Sequence, residues 1–422
     1  MATIELAYGR GALAFEYDEA RFRVLQPSAN DTPRPLSDAE IIAAMDAPIA
    51  SPPLEEIVQP GETVLIVVSD ATRANASGQI VNLLVRRLVQ NGIAPHDIKI
   101  IFATGIHRAV TPAEKRELLT PFVFQRITTL DHDAYDESQL AHFDETASGA
   151  LVELNRALHE HDHIILTGGI SFHYFAGFTG GRKSICPGLA SAETIAATHA
   201  LAFDFEKGGR RDGVGCAVLD GNAVHEECER IAALIKPSFL VNTVTDERGL
   251  CCKIYAGDWR SAHRQGCADY LREHSLEIEE KRALVMASCG GAPFDINLIQ
   301  AHKTLLMAAR ACNEGGAIIL LAECADGLGR ADFLKWFAAE NSRALENSLR
   351  ERYEVNGQTA WSLLAKAEAF EVYLVSSLPD DVVRQMRMIP ARSLEEALAQ
   401  VNRSDGSGYL LPRGATFLPV LV

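Results

Sequence analysis

Apolar positions along the first half of the chain fall into short unbroken blocks separated by stretches with a helical repeat. Glu62-Thr-Val-Leu-Ile-Val-Val-Ser69, Asp97-Ile-Lys-Ile-Ile-Phe-Ala103 and His163-Ile-Ile-Leu-Thr167 are continuous blocks of strand length. Between the first two, apolar residues at 80, 83, 84 and 88 predict a helix to about Asn91, with Ser77 as its N-cap and Gly92 just past its end. Strand, helix and strand in that order predict adjacent parallel strands joined by a right-handed crossover. Thr111-Pro-Ala-Glu114 combines a cap, a proline at the first helical position and a glutamate at the third, the pattern of a capping box. Upstream, residues 3–26 read as two strands around Tyr8-Gly-Arg-Gly11, and residues 28–60 as irregular apart from a short helix near 38–45.

A second alternating region follows a charged stretch near 272–282. Residues 283–288, 317–322 and 370–375 read as strands, and 296–312, 330–350 and 393–402 as helices. The expected fold is therefore α/β, with two α/β domains of largely parallel sheet and an active-site cleft between them. The boundaries predicted are 1–274 and 275–407, with a tail of about 408–422 returning as a last strand to the first domain.

Composition narrows the function classes. The chain has 422 residues, 47% hydrophobic and 23% charged, and a formal charge of -16. Excess acid repels nucleic-acid phosphates and anionic lipid surfaces, so neither is an expected partner. No apolar run approaches the roughly eighteen residues of a membrane span. The N-terminus has no basic flank or apolar core of a signal peptide. Nine scattered cysteines without a C-x-x-C pair predict a reducing cytoplasm and no thiolate zinc site.

In an acidic protein, basic clusters in loops call for a local explanation. The strand blocks run into Asp70-Ala-Thr-Arg73, Thr104-Gly-Ile-His-Arg108, and Gly168-Gly-Ile-Ser-Phe-His173 continuing to Lys183. A fourth is followed by Gly290-Gly-Ala-Pro-Phe-Asp295 and a helix with Gln300 and Lys303. Ligands bind at the carboxyl ends of strands in open parallel sheets. Arg73, His107, His173, Arg182, Lys183 and Lys303 thus suggest an anionic substrate or cofactor. The glycines before Lys183 suit close approach of the backbone to a ligand. His199 lies on a predicted helix capped by Ser191. Gly177-Phe-Thr-Gly-Gly-Arg-Lys-Ser184 is one substitution from a phosphate-binding P-loop, but Arg182 stands where its last glycine belongs. A zinc hydrolase using His107, His173 and His199 is a further candidate, without a supporting ligand spacing.

Asp70-Ala-Thr-Arg73, Ala103-Thr-Gly-Ile-His-Arg108, Ser171 to Ser184, Thr198-His199 and Gln300-Ala-His-Lys303 resemble, in order and spacing, the lactate racemase family that uses the nickel-pincer nucleotide. The resemblance implies a cytoplasmic racemase or epimerase acting on a small 2-hydroxy acid and loaded by cofactor-biosynthesis proteins. It implies that Lys183 carries the nucleotide as a covalent thioamide and that His199 ligates the nickel. Gly180, Gly181, Arg182, Ser184, Asp70 and Thr72 are implied as cofactor contacts. His107 and His173 are implied as the acid/base pair, and Arg73, Gln300 and Lys303 as the groups holding the substrate carboxylate. Three departures from the lactate-type pattern stand out, one of them Gly105-Ile-His107 where the family has Gly-Thr-His, and of the three it is Ile299, close to the substrate end, that points away from lactate itself. Ile299 stands where lactate racemases typically have tyrosine, and the first loop reads Thr-Arg-Ala rather than Thr-Arg-Pro. His302 reads as a solvent-facing helix residue, with binding of a second carboxylate as its other role. A P-loop-like phosphate-transferring enzyme and a catalytically silent cofactor-binding homologue are the alternatives from other classes.

Overall fold

The computed structural model describes residues 1–27, 34–71, 73, 75–146, 149–401 and 407–422. They form two compact units: Met1–Asp31, Asp204–Gly209 and Glu273–Val422 make one, and Thr32–Phe203 with Arg210–Arg272 the other.

The unit spanning Thr32–Phe203 and Arg210–Arg272 is built on a six-stranded sheet. Its strand order is Cys251–Gly257, Phe239–Thr245, His163–Gly169, Val64–Ser69, Ile98–Ala103 and Thr128–Asp131. All neighbours are parallel except the antiparallel pair Phe239–Thr245 and Cys251–Gly257. Val64 to Val68 are fully buried, which explains the absence of polar alternation in that strand. The helix Ser77–Gln90 lays Ile80, Val81, Leu84 and Leu88 in the same core as Val64, Ile66 and Val68. Truncating a fully buried leucine such as Leu84 to alanine costs about 2–5 kcal/mol.

The start of that helix differs from expectation. Ala76, in the left-handed region at φ 55°, is the N-cap, and Ser77 is the first helical residue. The Ser77 hydroxyl donates to Asn75 Oδ1 instead of receiving a helix N–H. At Thr111 the expectation holds: its hydroxyl accepts from Glu114 N–H, and the Glu114 carboxylate accepts from Thr111 N–H.

The order in which strands are added to this sheet reverses between His163–Gly169 and Val64–Ser69, which are themselves parallel. Strands added after Val64–Ser69 run to one side, and those from His163 onward run to the other. In open parallel sheets the loops leaving the carboxyl ends of strands at such a switch point diverge, and ligands commonly bind there.

The other unit carries a fully parallel six-stranded sheet, ordered Ile389–Ala391, Glu371–Val375, Cys312–Leu321, Arg282–Ser288, Gly408–Leu411 and Phe22–Val24. The antiparallel hairpin of Ala2–Tyr8 and Gly11–Tyr17 supplies Leu6, Phe15 and Tyr17 to its core. The N-terminal strands therefore group with the chain's second half, and the tail does not return to the first sheet. Gly408–Leu411 is buried at every position and fits between Arg282–Ser288 and Phe22–Val24, while Leu418–Leu421 pairs with Ser275–Ile278. The helix expected over 330–350 is divided: Phe333–Ala338 is a 3-10 turn, and Ser342–Glu351 starts afresh from the Asn341 cap.

Candidate active site

Three loops at the carboxyl end of the first sheet carry the groups singled out in the sequence. After Val64–Ser69, Asp70 is buried and accepts a hydrogen bond from His107 Nδ1–H at 2.6 Å. The His107 side chain is about half exposed, 49%, so one edge of the ring is held and the other faces outward. Arg73 follows on an exposed position, its N–H donating to Asp70 O at 3.3 Å. Thr72 lies outside the described residues. The loop with His107 is tied to the lysine loop by Gly105 N–H donating to Gly188 O at 2.9 Å. Gly105 sits at φ 55°, where an added Cβ would meet Pro187 O at 3.3 Å.

After His163–Gly169 the chain forms a tight hairpin in which Phe172–His173 pairs antiparallel with Ala176–Phe178. Ala176 N–H donates to His173 Nδ1 at 3.1 Å. The segment then turns through Gly180 at φ 78° into the single 3-10 turn Gly181–Ser184. These glycines are demanded by packing. A Cβ on Gly180 would lie 2.7 Å from Asn242 Oδ1, and one on Gly181 would lie 2.6 Å from the His263 ring. Asn242, fully buried, accepts from Gly181 N–H at 2.9 Å and donates to Gly168 O at 3.2 Å, bracing the loop against the strand below.

Arg182 is 1% exposed and donates to Ala176 O at 2.6 Å and Phe178 O at 3.0 Å. Ser184 Oγ donates to Thr167 O at 3.0 Å. Gly180, Gly181, Arg182 and Ser184 thus use these groups to shape the loop. No α-helix starts at the lysine, as a P-loop would require; one 3-10 turn stands there.

Lys183 keeps part of its surface in contact with solvent, yet burial of its amine, then Arg182 and Arg73, push its pKa down to about 7. His199 is on the helix Ala192–Ala200, which Ser191 caps by accepting from Thr194 N–H. Burial, then Lys183, hold His199 down to about 3, so the imidazole is neutral. Thr198 Oγ1 donates its proton to the carbonyl of Thr194 or Ile195, so it can only accept from His199 Nδ1 at 3.3 Å. That leaves a lone pair on His199 Nε2.

Phe175 organises this group, and the sequence reading passed over it. Its ring centroid is 4.6 Å from that of His173, 5.0 Å from that of His199 and 5.8 Å from Lys183 Nζ. Asn242 was also missed. Its one sequence signal is a polar amide inside the apolar strand Phe239–Thr245.

Among the described residues no group of three or more His, Cys, Asp or Glu side chains converges to hold a metal. That is against a three-histidine zinc site. No described helix is long and apolar enough to cross a membrane. In the second unit, Lys303 Nζ donates to Gln300 Oε1 at 2.7 Å on the helix Leu298–Ala311. His302 is buried, 2% exposed, and bonds through Nδ1 to Ile299 O, so it is not the solvent-facing residue expected.

The lactate racemase N-terminal domain model matches residues 8–209, and the lactate racemase C-terminal domain model matches residues 278–412. The chain belongs to the lactate racemase family. The lactate racemase of Lactiplantibacillus plantarum is 30% identical over 418 residues, 96% of each chain. That of Thermoanaerobacterium thermosaccharolyticum is 29% identical over 433 residues, 99% of each. The solved structure of the latter's apoprotein matches with a TM-score of 0.90 at 28% identity, covering 99% of this chain and 100% of that one. As a member of the lactate racemase family the chain is a racemase, and its mixed α/β architecture is that of its relatives.

Proposed function

We propose that the chain racemises or epimerises a 2-hydroxy acid at C2 by reversible hydride transfer, using a nickel-pincer nucleotide attached at Lys183. The observation that carries this reading is the grouping of a lysine amine poised near neutrality with a neutral histidine whose Nε2 is bare. A lysine with its pKa near 7 is substantially unprotonated at neutral pH and can form an amide-type bond, which an ordinary lysine cannot do readily. A neutral imidazole with an open lone pair suits a nickel ligand beside soft sulfur donors. The residues present therefore fit the group, with Lys183 as its tether and His199 as its protein ligand. When bound, the nucleotide supplies a hydride acceptor and donor.

The chain's own residues supply position and proton transfer. The C2–H beside an ionised carboxylate is a poor acid, so removing hydride while a histidine takes the hydroxyl proton is the easier route. The planar 2-keto acid that results can take hydride back on either face. His107 and His173 are assigned to the hydroxyl proton. Arg73 can grip a carboxylate bidentately, and Gln300 with Lys303 is assigned to the same carboxylate. Ile299, in place of the tyrosine typical of lactate racemases, favours a 2-hydroxy acid other than lactate.

Intact-mass measurement of protein made with the cofactor pathway tests the tether. An adduct mapping to Lys183 is expected, and active protein without one refutes it. C2-deuterated substrate in ordinary water should give product that keeps its label; washout would mean proton abstraction. A chiral assay across lactate, malate, 2-hydroxyglutarate and phenyllactate identifies the acid.

A further inference from the structure

His107 and His173 are the same residue type in the same unit, but their rings are held by opposite kinds of partner. Asp70 is a buried carboxylate, which only accepts hydrogen bonds, so the 2.6 Å contact places a proton on His107 Nδ1. A backbone N–H only donates, so the 3.1 Å contact from Ala176 requires a lone pair on His173 Nδ1. A neutral imidazole carries one proton. In that form His107 therefore presents a bare Nε2 and His173 presents Nε2–H.

We infer that the two histidines are fixed in opposite tautomers, with Asp70 as the positioning residue that makes His107 the resting proton acceptor, while Ala176 N–H makes His173 the resting donor. The catalytic meaning rests on the function proposed above. A substrate hydroxyl facing His107 gives its proton to Nε2, and the imidazolium formed keeps its Nδ1–H on the Asp70 carboxylate. A hydroxyl or keto oxygen facing His173 instead receives a hydrogen bond from Nε2–H. For His173 to become an imidazolium, its Nδ1 must also bear a proton, which would then face the Ala176 N–H. The hairpin contact has to break first, so the two halves of a racemisation cycle begin from unequal states.

Long-range proton–nitrogen correlation spectra of the full, unloaded chain with labelled histidine read each ring directly. His107→Gln and His173→Gln assign the signals by their loss. At a pH where both rings are neutral, the expected result is a bare Nε2 for His107 and a bare Nδ1 for His173. Asp70→Asn should move His107 toward the Nε2–H form common in water and leave His173 unchanged, and Asp70→Glu should restore the original His107 pattern. The same tautomer at both positions in the unaltered chain overturns the inference, even if the Asp70 variants do not fold. So does an Asp70→Asn spectrum identical to that of the parent. Opposite tautomers in a chain that loads cofactor but racemises nothing would sink the proposed function and leave this assignment standing. Equal tautomers in an active racemase would do the reverse.

Discussion

The loop with Lys183 and the loops with Arg73 and His107 leave the same end of one sheet, yet they are built on different principles. The lysine loop is closed on itself: Arg182 is buried against its carbonyls, Asn242 bridges it to the strand beneath, and two glycines fit where no Cβ can. In the other two loops, Arg73 and His107 stand more open to solvent. Arg73 is exposed, and the His107 ring is half exposed with one strong bond to Asp70. On the function proposed above, a group attached at Lys183 for the life of the enzyme needs a rigid seat. On the same reading, Arg73 and His107 meet a substrate on every turnover and need an open face and a fixed orientation.

The largest effect that tests this contrast is on turnover. His107→Gln is expected to lower kcat by about 10²–10⁴-fold, the usual worth of a general base, with the Lys183 adduct and melting temperature preserved. Parallel mass and melting measurements check it; a lost adduct would move His107 from chemistry to loop assembly. Asn242→Ala should act the other way. It leaves Gly181 N–H and Gly168 O without their buried partner and should cost about 2–4 kcal/mol in denaturant unfolding, with loading reduced in step. Unchanged stability would show that the lysine loop is not braced as described.

Arg73→Lys replaces a bidentate fork by a point charge. It should raise KM roughly tenfold with stability and adduct intact. A collapse of kcat at constant KM would mean that Arg73 acts only in the transition state. The smallest effect concerns proton binding. With its pKa pushed down to about 7, Lys183 in the unloaded chain should react with an amine acylating probe increasingly between pH 6 and 8 and level off by about pH 9. Ordinary lysines keep gaining reactivity to about pH 10.4. Peptide mapping at each pH separates them, and a Lys183 profile like that of its surface counterparts would remove the account of burial given above.

Much of the first sheet was legible because its strands are buried on both faces and its turns obey capping rules, as at Thr111 and Ser191. The helix Val355–Ala369 was not. It is buried at every position from Gly357 to Leu364, so no polar stripe alternates with an apolar one. The strand Phe239–Thr245 was hidden by its polar Asn242 and two threonines, of which Asn242 and Thr243 brace neighbouring loops from below. Ser77 misled because a serine at a helix start is commonly its cap, whereas Ala76 takes that place with a positive φ. For the site, residue types and order were readable, but which way each group points was not. Arg182 looks cationic and available in the sequence and is turned wholly inward. The partners Asp70 and Ala176 of the two histidines come from contacts that no spacing rule encodes.

The strand Phe22–Val24 pairs with Gly408–Leu411, almost four hundred residues later in the chain. During synthesis the sheet to which it belongs must wait, its early edge without a neighbour, until nearly the whole chain has left the ribosome. The lysine-bearing sheet draws all its strands from between Val64 and Gly257 and has no such delay. The order of emergence therefore favours a nascent chain in which the Lys183 loop is already formed while the other half is still being made. A pulse of protease on stalled ribosomal complexes ending near residue 300 would find a resistant core that begins near residue 34, since Ile41, Met45 and Leu54 share the core of Val64, and a still-cleavable arm over residues 1–27.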